Sequence, residues 1–414
     1  MRWKPSILLG ASNQRSKTVT ARNYCSRSTD FWVLTFFAFF YFAAYRYCVY
    51  ASARDPTSLF FNPAKGYARR YSAKREREAE AFISAANAST SEIGPQPGPL
   101  ICIGVPTFKR RHKQYVRNTI GSLLEGLSDS QRRSVHLTVL IAQTDTHLHP
   151  IYQESWLRKL ANQVIKYEVS ESEIERLRAL ETNHKVWEKT MFDYEYLLQD
   201  CLKTGAHWIM TVEDDVLAVS GWFPRAKTAF EAIAKHTGND RDWLYLRLFY
   251  TEKFFGWNKE DWATYLGWSI FTFLALLIVL LSSRACSRRL RKTLSNLTIA
   301  LLCCGCLPLC ILLYFASGKV TMQPLATGLR RMEEFACCAQ GFIYPRKVVP
   351  QVIDRIRAAK TRGGTLDMNL ERWADEEHWA RYALIPPLLQ DVGSDQEKDS
   401  HEPDNWNFAF ENYT

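Results

Sequence analysis

Charge is all but missing from three long stretches of this 414-residue chain, and glycine, proline and cysteine are scarce at nineteen, sixteen and eleven residues. Those shortages exclude a collagen-like repeat and a disulfide-dense miniprotein. With 47% apolar and 13% aromatic residues, the chain is not a disordered one either. It can bury a core, and once membrane-type sequence is set aside its length suits one large domain. No small-residue cleavage site follows the first apolar stretch, so that stretch reads as an uncleaved signal anchor and not as a removable leader.

The net charge of +10 suggests nucleic acid only until it is located. Residues 1–30 carry +5, from Arg2, Lys4, Arg15, Lys17, Arg22 and Arg27 against Asp30. Arg284, Arg288, Arg289, Arg291 and Lys292 carry another +5, and the remainder is neutral in total. Both basic segments flank apolar runs, as cytoplasmic membrane flanks do, so no nucleic-acid partner is expected.

The apolar runs are Phe31 to Tyr50, in which Arg46 is near enough to one end to snorkel, Ala263 to Ser283, and Thr293 to Ser317, where Pro308 is placed to kink a helix. Each is long enough to cross a hydrocarbon core. The basic connector 284–292 makes the last two a hairpin entered from the non-cytoplasmic side. The expected organisation is a cytoplasmic tail (1–30), a signal anchor (31–50), a lumenal stem (51–99), a first domain part (100–262), the hairpin (263–317), a second domain part (318–393) and an acidic tail (394–414). The tail region from Asp391 on holds seven acidic residues against Lys398 and is expected to stay disordered. Asn87-Ala-Ser89 and Asn412-Tyr-Thr414 are lumenal glycosylation sequons, whereas Asn296-Leu-Thr298 lies in a span and is silent. Cys102, Cys201, Cys337 and Cys338 are left for the lumenal fold, with their pairing open.

The charged, Ala-rich segment 65–86 suits a helical stem, ended by the turn residues 94–99. Leu100 to Pro106, His136 to Asp145 and Val164 to Val169 read as buried strands. Trp187, Met191, Tyr194, Leu198 and Cys201 form one helical stripe, and Gly205 closes that helix. Another strand, His207 to Val212, follows at once and ends in Glu213, Asp214 and Asp215. Strands alternating with helices indicate an α/β fold with a mostly parallel sheet, in which ligands bind at the carboxyl ends of strands. Three carboxylates on a partly buried turn repel one another unless a cation relieves them. Oxygen-only ligands suit Mn²⁺ or Mg²⁺ bridging to a diphosphate.

Strand ends in VPTFKR, AQTD and EDD together resemble the GT-A family of nucleotide-sugar glycosyltransferases. The signal anchor, the hairpin inserted in the catalytic domain, and the segments LYLRLFYTEKFFGW and CCAQGFIYPR are similar to the family of Golgi transferases that add N-acetylgalactosamine to the mannose of glycosylphosphatidylinositol (GPI) anchors, over about residues 31–393. The resemblance implies a Rossmann-like lumenal domain in the Golgi membrane, a UDP-sugar donor, a GPI-anchored protein or glycolipid acceptor and an inverting reaction. It also implies that Glu213, Asp214 and Asp215 hold Mn²⁺ and the donor diphosphate, that Val105, Pro106 and Thr107 lie at the nucleotide base, and that Asp145 lies near the uracil or ribose. Read from local pattern alone, Pro106 is a strand terminator and Asp145 a helix cap. Lys109 and Arg110 are candidate phosphate contacts on what reads as a solvated loop. The segment ALIPPLLQDVG resembles the ending of GlcNAc-branching enzymes, which often show His where this chain has Asp391.

An inverting transfer needs one carboxylate as base. Glu334 and Asp367 rank first among Glu333, Glu334, Asp367, Asp375, Glu376 and Glu377, and the segment ADEEHWARY reads as a charged helical face with His378 at the surface. His147 and His149, in DTHLHPIY, are expected to hydrogen-bond and not to bind metal. Trp257 belongs to an interfacial aromatic belt or stacks on a sugar. A hairpin that splits a domain brings residues 256–261 and 318–323 together, and it anchors the enzyme in the same membrane as a lipid-linked acceptor. The competing readings are an N-glycan branching GlcNAc transferase and a non-catalytic sugar-binding scaffold. Spans without a central ionisable residue argue against a transporter.

Overall fold

Buried strands carry the architecture. In the computed structural model, which describes residues 13–88, 98–110, 112–237, 243–332, 337–359, 363–393 and 405–413, β1 (Ile101–Thr107), β2 (Val135–Ile141) and β4 (Trp208–Val212) are near-continuous apolar runs. Runs of that kind have no water-facing side, which is what a sheet covered on both faces requires. With β3 (Gln163–Ile165), β6 (Trp243–Arg247), β7 (Gly328–Met332), β8 (Gly341–Pro345) and β9 (Ala380–Ile385) they form one eight-stranded sheet in the order β3-β2-β1-β4-β8-β6-β9-β7. β3, β2, β1 and β4 run parallel, as do β6 and β9; β8 is antiparallel to both its neighbours, and β7 to β9. This is the mixed α/β, mostly parallel fold that the sequence predicts. A two-stranded ribbon of β5 (Val216–Ala218) and β10 (Leu389–Asp391) accompanies it.

Several expectations change in detail. The third strand keeps only Val164 and Ile165 of its expected residues and adds Gln163, and Cys337–Gln340 form a loop ahead of β8. The helical stripe lies on the helix Val186–Lys203, with Met191, Tyr194, Leu198 and Cys201 buried but Trp187, in the first turn, exposed. Cys201 bonds to Cys102 of β1, closing a sequence separation of 99. The expected stem is not free-standing: helix Tyr71–Ala88 buries Tyr71, Ala79 and Ile83, and Arg75 of that helix reaches the Ala218 and Ser122 carbonyls at 2.9 and 3.1 Å. At Gly121 a Cβ would stand 2.6 Å from the Ala79 carbonyl oxygen, so only glycine lets these helices approach so closely. Nor does the whole tail lack structure. Trp406, Phe408 and Phe410 are buried, and Glu411 caps the start of that helix, accepting the Arg70, Tyr71 and Ser72 N–H groups at 2.7, 2.9 and 3.3 Å. Three aromatic anchors outweigh the charge of the segment.

A second compact unit comprises the described residues 13–62 and 255–324. Its helical segments Asp30–Ala51, Trp262–Cys286 and Asn296–Ala316 are long and apolar enough to cross a membrane. Ahead of Pro308 the helix widens into a π-helical turn, Leu301–Cys306, because proline withholds its N–H and crowds the preceding turn. The ends of the spans are tied by polar contacts. Asp55 accepts the Thr57 N–H and hydroxyl on one oxygen and the Thr321 N–H and hydroxyl on the other, at 2.7–2.8 Å. Trp257 donates to the Phe315 carbonyl at 3.0 Å and packs on Tyr265, Tyr314 and Phe315, so it clasps the two ends of the hairpin together.

Candidate functional site

The acidic triplet stands where the sheet opens. β1 pairs with β2 as far as Thr107↔Ile141 but with β4 only as far as Gly104↔Thr211, so Pro106 lies past the β4 pairing, where a strand tolerates it. Glu213, Asp214 and Asp215 form the turn from β4 into β5. The β5–β10 ribbon sets Val216 opposite Asp391, which brings a fourth carboxylate to the turn.

Every part of that turn is held. Thr119 of helix Val116–Leu124 donates its hydroxyl to the Asp214 carbonyl at 2.7 Å and accepts the Val216 N–H at 3.1 Å. The Glu213 N–H reaches the Gln340 carbonyl at 3.2 Å, the Val392 N–H reaches the Asp215 carbonyl at 2.9 Å, and Gln340 Nε2 donates to Asp391 at 3.0 Å. The carboxylates fan out from this rigid backbone. Asp214 accepts the Thr107 hydroxyl at 2.8 Å and Arg110 at 2.6 Å, and Asp215 accepts Arg110 at 3.0 Å. Because Thr107 gives its single proton to Asp214, His149 Nε2, 3.2 Å from the same hydroxyl, must be the donor there. Its Nδ1 then accepts the Ile151 N–H at 3.4 Å. Burial lowers the His149 pKa, which suits this neutral tautomer.

Four carboxylates thus share one turn, and among the described residues Arg110 pairs with two of them, Asp214 and Asp215. Burial, with Asp215 and Asp214 alongside, pushes Glu213 up to about 8. Burial also raises Asp215 against the pull of Arg110, and raises Asp391 well above its ordinary range with Asp215 and Glu213 adding to it. Such repulsion marks functional sites more often than structural ones. The donor set fits a hard divalent cation: it is all oxygen, Asp215 Oδ1 is buried with no hydrogen-bond partner among the described residues, and a Cβ on Gly393 would meet Asp215 at 2.1 Å and Asp391 at 3.2 Å. Asp391 therefore faces the same point as Asp215.

The other expected residues are distributed as follows. Thr107 is wholly buried and orients Asp214; Val105 is wholly buried in the core, and Pro106 is half-buried beside it. Asp145 is exposed and accepts the His147 N–H at 3.0 Å, which is the helix-cap reading of that residue. Lys109 is exposed, while Arg110 is drawn onto the acidic turn. Asp367 opens helix Leu366–Glu376 next to Cys337 and Cys338, and its charge contributes to the shift of Glu213. Glu333 and Glu334 lie outside the described residues. Glu376, Glu377 and His378 are exposed, as a charged face is.

Sequence reasoning missed Thr119 and the buried group Arg247, Glu371 and Arg381. Glu371 meets both guanidiniums at 2.5 Å and also accepts the Tyr245 hydroxyl. Arg247 further donates to the Cys338 carbonyl at 2.7 Å. The available signal was an arginine within the apolar strand LYLRLF, since a charge there must be paired.

A mostly parallel sheet with a carboxylate turn at the end of a central strand fits a glycosyltransferase catalytic domain. The family described as GPI-N-acetylgalactosamine transferase PGAP4 matches residues 101–390, from the first residue of β1 into β10 and across both hairpin helices; this is more than half of the chain, and the chain belongs to that family. No curated protein matches it at a significant level.

Proposed function

We propose that this glycosyltransferase moves an N-acetylhexosamine from a UDP-sugar to a mannose of the GPI-anchor core, with inversion, on the lumenal side of the Golgi membrane. The observation that carries the reading is the charge deficit at the strand end, in a chain whose family acts on GPI anchors. Asp215 and Asp391 are the residues that would hold Mn²⁺ or Mg²⁺, with Glu213 and Asp214 beside them. A cation bound there supplies positive charge to the departing diphosphate. Asp214, fixed by Thr107 and Thr119, keeps the turn in place while Arg110, on the loop after β1, exchanges the carboxylates for donor phosphate oxygens. Asp367 accepts the proton of the acceptor hydroxyl as the sugar transfers. The apolar hairpin holds the enzyme in the bilayer that carries its lipid-linked acceptor.

The test is a donor screen with detergent-purified protein, a mannose-containing GPI glycan and mass readout. Metal-dependent addition of one N-acetylhexosamine, lost in Asp215→Asn, supports the reading. Addition to an N-glycan acceptor alone would favour a branching transferase instead. Metal and UDP uptake without transfer to any acceptor would favour a sugar-binding scaffold.

A further inference from the structure

The loop Cys337–Gln340 is fixed at three successive carbonyls: Cys338 by Arg247 at 2.7 Å, Ala339 by the Tyr194 hydroxyl at 3.3 Å, and Gln340 by the Glu213 N–H at 3.2 Å. It is therefore a rigid wall that leads from the acidic turn toward the start of helix Leu366–Glu376. At its head, Cys337 and Cys338 are bonded to each other, and their sulfurs and an Asp367 carboxylate oxygen all lie within 4.8 Å of one another. Cys338 is buried, while Cys337 and Asp367 are half-buried. The Thr365 hydroxyl donates to Asp367 Oδ1, and among the described residues no lysine or arginine pairs with this carboxylate.

Bridged sulfurs have no thiolate to offer a metal, and no proton to offer a carboxylate. What they present is a soft, polarisable, apolar surface beside the Asp367 carboxylate, with the Asn405 amide oxygen also 3.9 and 3.5 Å from the Cys337 and Cys338 sulfurs. The C–H face of a pyranose and one of its hydroxyls have that same pairing. We infer that the Cys337–Cys338 disulfide is the acceptor subsite, with the acceptor sugar resting its apolar face on the bridge and turning the reacting hydroxyl to Asp367. The inference rests on the glycosyltransferase reading above and adds to it where the acceptor binds. It also makes acceptor binding sensitive to reduction. A dithiol reductant passes two electrons and two protons to the bridge and is itself oxidised to a disulfide; the two new thiols then donate toward Asp367 and occupy the oxygen that a hydroxyl would use.

The experiment uses full-length enzyme in detergent under mild dithiothreitol, with acceptor kinetics and UDP calorimetry run on the same material. An alkylated aliquot, mapped by mass spectrometry, confirms that Cys337 and Cys338 are reduced while the fully buried Cys102–Cys201 bridge is intact. The acceptor KM is expected to rise about tenfold on reduction and return on reoxidation, with the affinity for UDP and Mn²⁺ within about twofold of its starting value. Cys337→Ser/Cys338→Ser is expected to reproduce the rise, and Cys337→Ala/Cys338→Ala, which keeps an apolar surface, to show a smaller one. An unchanged acceptor KM in the reduced protein overturns the inference, whether or not the variants fold, and so does a parallel loss of UDP affinity. Wild-type protein that takes up no UDP fails the glycosyltransferase reading itself, and the inference with it.

Discussion

Two buried carboxylate groups stand on the same sheet and are neutralised in opposite ways. Glu371, 1% exposed, meets two guanidiniums, Arg247 and Arg381, that are themselves 0% and 4% exposed, and it accepts a tyrosine hydroxyl besides. Its partners come from β6 and β9, and its own helix closes the set. At the strand end Glu213, Asp214, Asp215 and Asp391 crowd one turn, and among the described residues only Arg110, on a loop with 22% of its side chain exposed, pairs with them, at Asp214 and Asp215. The first group is paired by side chains from two strands and a helix of the core. Among the described residues the second group has more carboxylates than cations paired with them, and the cation it has sits on a loop. The carboxylates built to receive something are the under-compensated ones.

Breaking each group in turn tests that contrast most strongly. Glu371→Gln takes the shared carboxylate from two buried guanidiniums, leaving Arg247 the Cys338 carbonyl and Arg381 Asp375, and is expected to cost ~3–5 kcal/mol, read as a large drop in the melting temperature. Asp215→Asn removes a repelling charge, so the metal-free protein is expected to melt at the same or a higher temperature while transfer falls by about 100-fold or more. If both variants lowered the melting temperature alike, the contrast would be lost. Titration sharpens it. The folded protein holds the Glu213 proton up to about 8, against an ordinary glutamate value of 4.5. The stabilisation linked to that proton is therefore fully present below the ordinary value and lost as pH rises through about 8. Melts in a chelator between pH 5 and 9 are expected to fall over this window, Mn²⁺ to flatten the fall, and Asp215→Asn to shrink it, because Asp215 is among the charges that raise Glu213.

Two glycines separate packing from chemistry at the next scale. Gly121→Ala drives a Cβ against the Ala79 backbone and is expected to cost ~1–3 kcal/mol of stability. Gly393→Ala instead drives it into the Asp215 and Asp391 carboxylates, so the expected effect is about tenfold weaker Mn²⁺ binding by calorimetry.

Much of this site is legible in the order of residues alone. The triplet 213–215 stands out because three carboxylates directly follow an apolar strand, and the three spans are written in hydropathy. What stays hidden depends on register. Asp391 reaches the triplet only because β10 pairs with β5, two strands of three residues too short to carry a periodicity. Glu371 looks like any helix-surface acid until β6 and β9 bring Arg247 and Arg381 to it. The tail 405–413 misleads because its seven-acid surroundings set the average, while burial is decided by Trp406, Phe408 and Phe410 one side chain at a time.

The smallest expected effect concerns the way Asp214 is aimed. Thr107→Val keeps the shape of the side chain but takes the 2.8 Å hydrogen bond from Asp214 and the acceptor from His149. Asp214 keeps Arg110 and loses one charge-assisted hydrogen bond, and the expected result is a few-fold rise in the Mn²⁺ concentration needed for half-maximal transfer. Thr107→Ser restores the hydroxyl and should restore the metal requirement. If Thr107 served only as the last packed residue of β1, serine and valine would shift stability in proportion to volume and leave the metal titration alone. A rescue by serine and not by valine is what a proton held between Thr107 and Asp214 demands.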